Sequence, residues 1–114
     1  MTTAPAPHTP QLPAALGEIV ASLVAAFAPE QIYLFGSQAR GDAGEDSDYD
    51  LMVIVPHSDD PPYRRAQQAY AAMPYRGFAV DVLVWTHDEF YPELVLRASF
   101  PSTVVREGVL VYGE

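Results

Sequence analysis

The stretch from Ile32 to Val55, IYLFGSQARGDAGEDSDYDLMVIV, constrains the fold more than any other part of the sequence. Two apolar runs, 32–35 and 51–55, predict two strands. A glycine-rich loop joins them and ends in Asp48 and Asp50. Because side chains two apart on a strand point to the same face, these aspartates are expected side by side, with Cα atoms roughly 6.6 Å apart.

Gly36 and Ser37 directly follow the first predicted strand. A backbone without a Cβ at Gly36 can approach a phosphate closely, and the amides and hydroxyl that follow can donate to its oxygens. Alone, the pair would indicate an ordinary strand-to-helix turn, but the two aspartates behind it favour phosphate binding. Ser37 is expected to be the N-cap of a short helix. Arg40 has two open roles, a contact with phosphates or a partner's acid, and an ion pair with Asp42.

Paired carboxylates on one strand are suited to hold divalent cations. Mg²⁺ takes oxygen ligands, and two-metal sites place the ions about 3.5–4 Å apart, a spacing that neighbouring carboxylates can bridge. A third acid, Asp81, lies in the apolar run FAVDVLVW, where a bare carboxylate is costly. The alternatives are solvated strand-end acids for Asp48 and Asp50, and a capped or arginine-paired structural acid for Asp81.

The spacing of Gly-Ser, ten residues and Asp-x-Asp resembles the signature of the DNA polymerase beta nucleotidyltransferase superfamily. The string GSQARG more narrowly resembles the minimal nucleotidyltransferases (MNT proteins), many of which are antitoxins encoded beside a HEPN-family RNase toxin. The likeness extends to AVDVLVW at 79–85 and to the ending VVREGVLVYG, and covers about residues 16–114. It implies an α/β (α+β) fold in which helices pack against a mixed central sheet.

The resemblance also implies an activity. It points to a metal-dependent enzyme that moves NMP to an acceptor hydroxyl with release of pyrophosphate, with AMP from ATP as the favoured reaction. Asp48 and Asp50 would hold two Mg²⁺. Asp81 would share one ion and take the acceptor's proton, while Gly36 and Ser37 would hold the β and γ phosphates.

The acceptor that the resemblance implies is a tyrosine on a cognate HEPN toxin, which AMP would silence. Two alternatives stay open. One is a binding-only antitoxin that masks the toxin sterically. The other is an aminoglycoside-type nucleotidyltransferase, although such enzymes usually carry a C-terminal substrate domain that is not evident in this sequence.

The amino-acid composition limits the kinds of molecule that this protein is expected to bind. Six basic and 15 acidic side chains give a formal net charge of −9, which argues against direct nucleic-acid binding through phosphate neutralisation. The acidic excess fits either solubility or a basic partner. There is no cysteine for a disulfide or a thiolate zinc site, and no apolar run approaches the ~20 residues of a membrane span. The opening lacks the features of a secretory signal, so a cytoplasmic location is expected.

The remaining pattern predicts one small domain, residues 11–114, behind a disordered tail, residues 1–10. Helices are predicted at 11–27, 63–73 and about 87–98, the last opened by a capping box from Thr86 to Glu89. Further strands are predicted at 78–85 and 109–112, with a turn or short helix over 101–107. Arg64 and Arg65 are expected on a solvated helix face, and Tyr70 is expected to be a packing residue.

Overall fold

A computed structural model describes the chain over residues 13–41, 48–74 and 79–114. The helices are α1 (Ala14–Phe27), α2 (Ser37–Arg40), α3 (Pro62–Ala72), α4 (His87–Phe90) and α5 (Phe100–Glu107), with a 3₁₀ helix at Tyr91–Val95. The strands are β1 (Gln31–Phe35), β2 (Tyr49–Val55), β3 (Val80–Thr86) and β4 (Val109–Tyr112). Helices and strands alternate, as the sequence predicts for an α/β chain. The predicted tail, residues 1–10, lies outside the described residues.

The four strands form one mixed sheet in the order β3-β2-β1-β4. β1 pairs antiparallel with both β2 and β4, whereas β2 and β3 run parallel. A parallel pair requires a crossover connection, and α3 lies within that connection. The mixed sheet implied by the family resemblance is therefore present, and its parallel pair is the one that carries Asp50 and Asp81.

Helices cover both faces of the central strands. α1 and α3 pack on one face, in a core that includes Leu16, Ile19, Leu23, Leu34, Val53, Ala69, Val82 and Val84. α4 and α5 cover the other face, in a smaller core of Met52, Ile54, Phe90 and Val104. This double cover explains why residues 51–55 of β2 are all apolar and all buried. Strand alternation places Asp50 on the same face as Met52.

Several element boundaries differ from the predicted ones. α1 begins at Ala14, so that Pro13 is its cap residue and does not lie in the first turn. β2 reaches back to Tyr49, which brings Asp50 into the strand and leaves Asp48 directly before it. The helix predicted over 87–98 has the predicted capping box at Thr86, but it is α-helical only to Phe90 and continues as a 3₁₀ helix. Pro92 explains the change, because it has no N–H to continue the α-helical hydrogen bonds.

Arg65 is buried, contrary to the prediction of a solvated side chain. Its Nη1 donates to Glu89 Oε1 at 2.8 Å and to the Val84 carbonyl at 3.0 Å, and its Nε donates to the Asp60 carbonyl at 2.9 Å. A buried guanidinium is tolerated only with such partners. Helical periodicity could not reveal them, because they come from a strand, a loop and another helix.

Within the described ranges, none of the helices is long and apolar enough to cross a membrane.

Candidate active site

Asp48, Asp50 and Asp81 are brought to the same end of the parallel strand pair. Asp50 and Asp81 are each the second residue of their strand, and they are direct register partners. Neighbouring strands lie about 4.8 Å apart, and register partners on parallel strands point to the same face. The two carboxylates therefore leave the sheet side by side, with Asp48 one residue before β2.

Gly36 lies directly against Asp50. β1 is antiparallel to β2 and pairs Phe35 with Asp50, so the residue after Phe35 reaches the end of the sheet where the acids lie. Gly36 has a φ of 77°, a backbone conformation that L side chains rarely adopt. A Cβ at this position would overlap Asp50 Oδ2 and would lie 3.3 Å from Asp50 Cγ. The glycine is thus required both by its backbone angles and by the carboxylate beside it.

The turn after Gly36 leads at once into α2. Gly36 itself is the N-cap and Ser37 is the first helical residue, which corrects the prediction that Ser37 would be the cap. The amides of Ala39 and Arg40 both donate to the Gly36 carbonyl at 3.1 Å. The hydroxyl and amide of Ser37 thus stand at the start of the helix, the part of a helix that attracts anions.

Arg40 lies at the end of α2 and pairs with Glu107 of α5, with 3.8 Å between Nη1 and Oε1. Both side chains are well exposed, so the pair adds little to stability. Asp42, the other acid considered for Arg40, lies outside the described residues. The positive charge of Arg40 also acts on Asp50, where it lowers the pKa and partly opposes the other influences on that group.

The environment of Asp50 favours a cation. Its pKa is raised above the usual value, first by burial and then by the negative charges of Asp81 and Asp48. Carboxylates that repel one another at a partly desolvated position are stabilised by a hard cation that their oxygens share. By donor type and by charge, the three acids therefore fit a divalent metal ion. Among the described residues, however, no three metal-binding side chains lie close enough together to hold an ion as they stand.

Tyr70 of α3 is a further residue at this end of the sheet, and the sequence predicted for it only a packing role. Its hydroxyl lies 3.5 Å from Asp81 Oδ1 and accepts a hydrogen bond from the Val82 amide at 3.2 Å. The side chain is 47% exposed. The only signal in the sequence is that Tyr70 follows Ala69, which is buried, and so lies at the border of the buried stripe of α3.

An apolar surface continues from the acids along the same face of β3. Leu83 and Trp85 follow Asp81 at alternate positions, and Leu83 is 39% exposed. The Trp85 ring lies 5.6 Å from that of Phe100, which is also 39% exposed and lies 5.5 Å from the Phe35 ring. The acids therefore border a partly exposed surface of aromatic and aliphatic side chains.

The glycine turn thus lies against one carboxylate, and a second carboxylate lies in register on the parallel neighbouring strand of an α/β fold. The family model of the nucleotidyltransferase domain matches residues 16–111, and the chain belongs to this family. No curated protein has a significantly similar sequence.

Solved structures support the same fold. A protein from Sulfolobus solfataricus assigned as a nucleotidyltransferase superposes with a TM-score of 0.64 at 25% identity, over 88% of this chain and 78% of that chain. A toxin–antitoxin structure with AMP-PNP has a TM-score of 0.56 at 24% identity, over 86% and 73% of the two chains. A mutant of the toxin–antitoxin MntA–HpeT has a TM-score of 0.56 at 24% identity, over 91% and 75%. The predicted polymerase beta-like nucleotidyltransferase fold is confirmed.

Proposed function

We propose that this protein is a metal-dependent nucleotidyltransferase that transfers AMP from ATP to a tyrosine hydroxyl of a HEPN-family RNase toxin, and thereby acts as an antitoxin. The observation that carries the proposal is the close packing of Gly36 on Asp50, with Asp81 in register beside it. This arrangement puts a turn that can approach a phosphate directly next to carboxylates that can hold metal ions.

In this proposal each residue acts through its charge or its donors. Asp48 and Asp50 would hold two Mg²⁺, and such ions would supply positive charge that neutralises and orients the phosphates. Gly36 and Ser37 hold the β and γ phosphates with backbone and hydroxyl donors, and Arg40 adds a positive charge at the end of α2.

Asp81 acts on the acceptor. It would help to hold one of the metal ions and would take the proton of the attacking hydroxyl, a role that requires it to lie within hydrogen-bond reach of that oxygen. Its exposed place on the edge strand leaves it open to a hydroxyl that comes from another molecule.

The surface beside the acids favours a protein acceptor. Leu83, Trp85 and Phe100 are apolar and partly exposed, which suits the side chains around a tyrosine on a protein better than the hydroxyls and ammonium groups of an aminoglycoside. Two solved relatives of this fold are toxin–antitoxin structures, and one of them contains AMP-PNP. The net charge of −9 suits association with a basic RNase and argues against direct nucleic-acid binding. We place this activity in the cytoplasm.

The test is a transfer assay with ATP labelled at the α-phosphate, Mg²⁺, the purified protein and the product of any neighbouring frame that encodes a small helical protein. We expect label on a tyrosine of that product. Asp81→Asn should stop the transfer while ATP still binds. Asp88→Asn is the matched control, because Asp88 is an exposed acid on α4 and should transfer label like the wild type.

Two other results would replace this proposal. If the two proteins form a stable complex and no label moves, the protein is a masking antitoxin. If label moves only to an aminoglycoside, the acceptor is a small molecule.

A further inference from the structure

In the proposed nucleotidyl transfer, the direction from which the acceptor oxygen attacks the α-phosphorus follows from the order of the strands. The attacking oxygen and the leaving pyrophosphate lie on opposite sides of the α-phosphorus. The phosphate turn at Gly36 follows β1, Asp50 lies on the adjacent β2, and Asp81 lies on the edge strand β3. With the leaving phosphates on the β1 side, the acceptor oxygen must approach from the outer edge of β3.

A tyrosine hydroxyl of the chain itself already lies at that edge. Tyr70 Oη lies 3.5 Å from Asp81 Oδ1, and the Val82 amide donates to the same oxygen at 3.2 Å. Because the amide occupies one lone pair of the hydroxyl, its proton is directed toward the carboxylate. Tyr70 as a whole residue is 47% exposed, so the core does not enclose it.

We propose that Tyr70 is a modification site, onto which the protein transfers a nucleotidyl group from its own bound nucleoside triphosphate. This inference rests on the proposed nucleotidyltransferase function. A bond forms between Tyr70 Oη and the α-phosphorus, and the bond from that phosphorus to the β-phosphate oxygen breaks. The electron pair leaves with pyrophosphate, and the phenolic proton passes to Asp81 and then to solvent.

The reaction is intramolecular, because the Tyr70 hydroxyl and the Asp81 carboxylate belong to one chain and are in contact in the fold. The product carries the nucleotide at the edge from which a partner's tyrosine would approach. Self-modification therefore competes with transfer to a partner for the same carboxylate.

Tyr63 provides a matched control on the same helix. It lies two turns before Tyr70, on the same side of α3, about 10.5 Å away along the helix axis. Its side chain is 62% exposed, more than that of Tyr70. If exposure alone decided which tyrosine reacts, Tyr63 would be labelled first, whereas proximity to Asp81 selects Tyr70.

The experiment uses the full chain, Mg²⁺ and each of the four ribonucleoside triphosphates labelled at the α-phosphate, followed by intact mass and peptide mapping. We expect one nucleotidyl group per chain, located on Tyr70, with a rate constant that does not change when the protein is diluted. Tyr63→Phe should be labelled like the wild type, and Tyr70→Phe and Asp50→Asn should lose the label. Thermal unfolding of Tyr70→Phe checks that it is folded, and mapping on the wild type does not depend on that variant.

Absence of label with all four nucleotides, label on another residue, or a rate that falls on dilution would each overturn the inference. A parallel assay that also contains the toxin distinguishes failure of the self-modification from failure of the proposed function. If the wild type labels the toxin and leaves Tyr70 unmodified, only the self-modification is wrong. If it labels neither, both ideas are wrong.

Discussion

Two groups of charged side chains border β3, and they are built in opposite ways. At one end of the strand, Arg65 and Glu89 neutralise each other and are hydrogen-bonded to the backbone, and the pKa of Glu89 is lowered chiefly by the hydrogen bond from Arg65. At the other end, Asp50 faces Asp81 and Asp48, and its pKa is raised. The first group stabilises the fold. The second lowers stability where Asp50 is ionised, and like-charged carboxylates held together in this way are typical of functional sites.

The largest expected effect comes from breaking the first group. Arg65→Ala should lower the free energy of unfolding by about 2–3 kcal/mol, because it removes a buried charge that is hydrogen-bonded to Glu89 and to two backbone carbonyls. The loss stays below the roughly 3–5 kcal/mol of a fully buried pair, since the Glu89 side chain is 43% exposed and can return to water. Urea denaturation measures the difference. Arg64→Ala, at the exposed neighbour, should stay within about 0.5 kcal/mol of the wild type, and an equal loss in both variants would contradict the contrast drawn here.

Gly36→Ala tests whether the position of Asp50, and with it nucleotide binding, depends on the glycine turn. The positive φ should cost about 1–2 kcal/mol, and the new Cβ would push Asp50 away from its place. We expect loss of Mg²⁺-ATP binding in calorimetric titration together with this destabilisation.

Gly17→Ala is the control for Gly36→Ala, because Gly17 lies within α1 with open space where a Cβ would be. This change should stabilise the protein by about 0.5–1 kcal/mol and leave nucleotide binding unaltered. Unchanged Mg²⁺-ATP affinity in Gly36→Ala would show that the turn is not part of the site.

Removing charge from the second group should have a small effect on stability and a large one on binding. In the double variant Asp48→Asn with Asp50→Asn, the repulsion with Asp81 is relieved, so stability should be unchanged or higher by roughly 0.5 kcal/mol. Binding of Mg²⁺-ATP should be lost. A calorimetric titration that gives the wild-type affinity would remove the metal role from these acids.

The smallest effect concerns the pH dependence of stability, to which the two groups contribute with opposite signs. Glu89 has a lowered pKa in the folded state, so its contribution to stability is present above its ordinary value of 4.5 and is lost as the pH falls through the folded pKa. Asp50 has a raised pKa, so its unfavourable contribution disappears as the pH falls through its folded pKa toward the ordinary value of 3.8. Glu89→Gln should therefore flatten the loss of stability in acid, and Asp50→Asn should steepen it. Urea midpoints from neutral pH to about pH 4 measure both slopes.

The difference between the two groups also explains what the sequence could predict. The turn at Gly36, the acids Asp48 and Asp50, and the strands on either side are close in sequence, so local spacing was enough to place them together. Asp81 was singled out as a costly acid within an apolar run, but on the edge strand its side chain is exposed, so burial does not account for it. Contacts between distant elements were missed, because the pairs Arg65–Glu89 and Tyr70–Asp81 depend on how α3 packs along β3. The spacing of residues along the sequence does not predict how these two elements pack.

The outer edge of β3 has a consequence for how any partner can meet this protein. An edge strand ordinarily offers its backbone groups to a strand of another chain. Here the Tyr70 hydroxyl accepts from the Val82 amide and the Arg65 guanidinium donates to the Val84 carbonyl, so two outward-facing groups are already engaged. The sheet is therefore protected against extension along β3. A molecule that reaches Asp81 must do so with a single side chain that passes this edge.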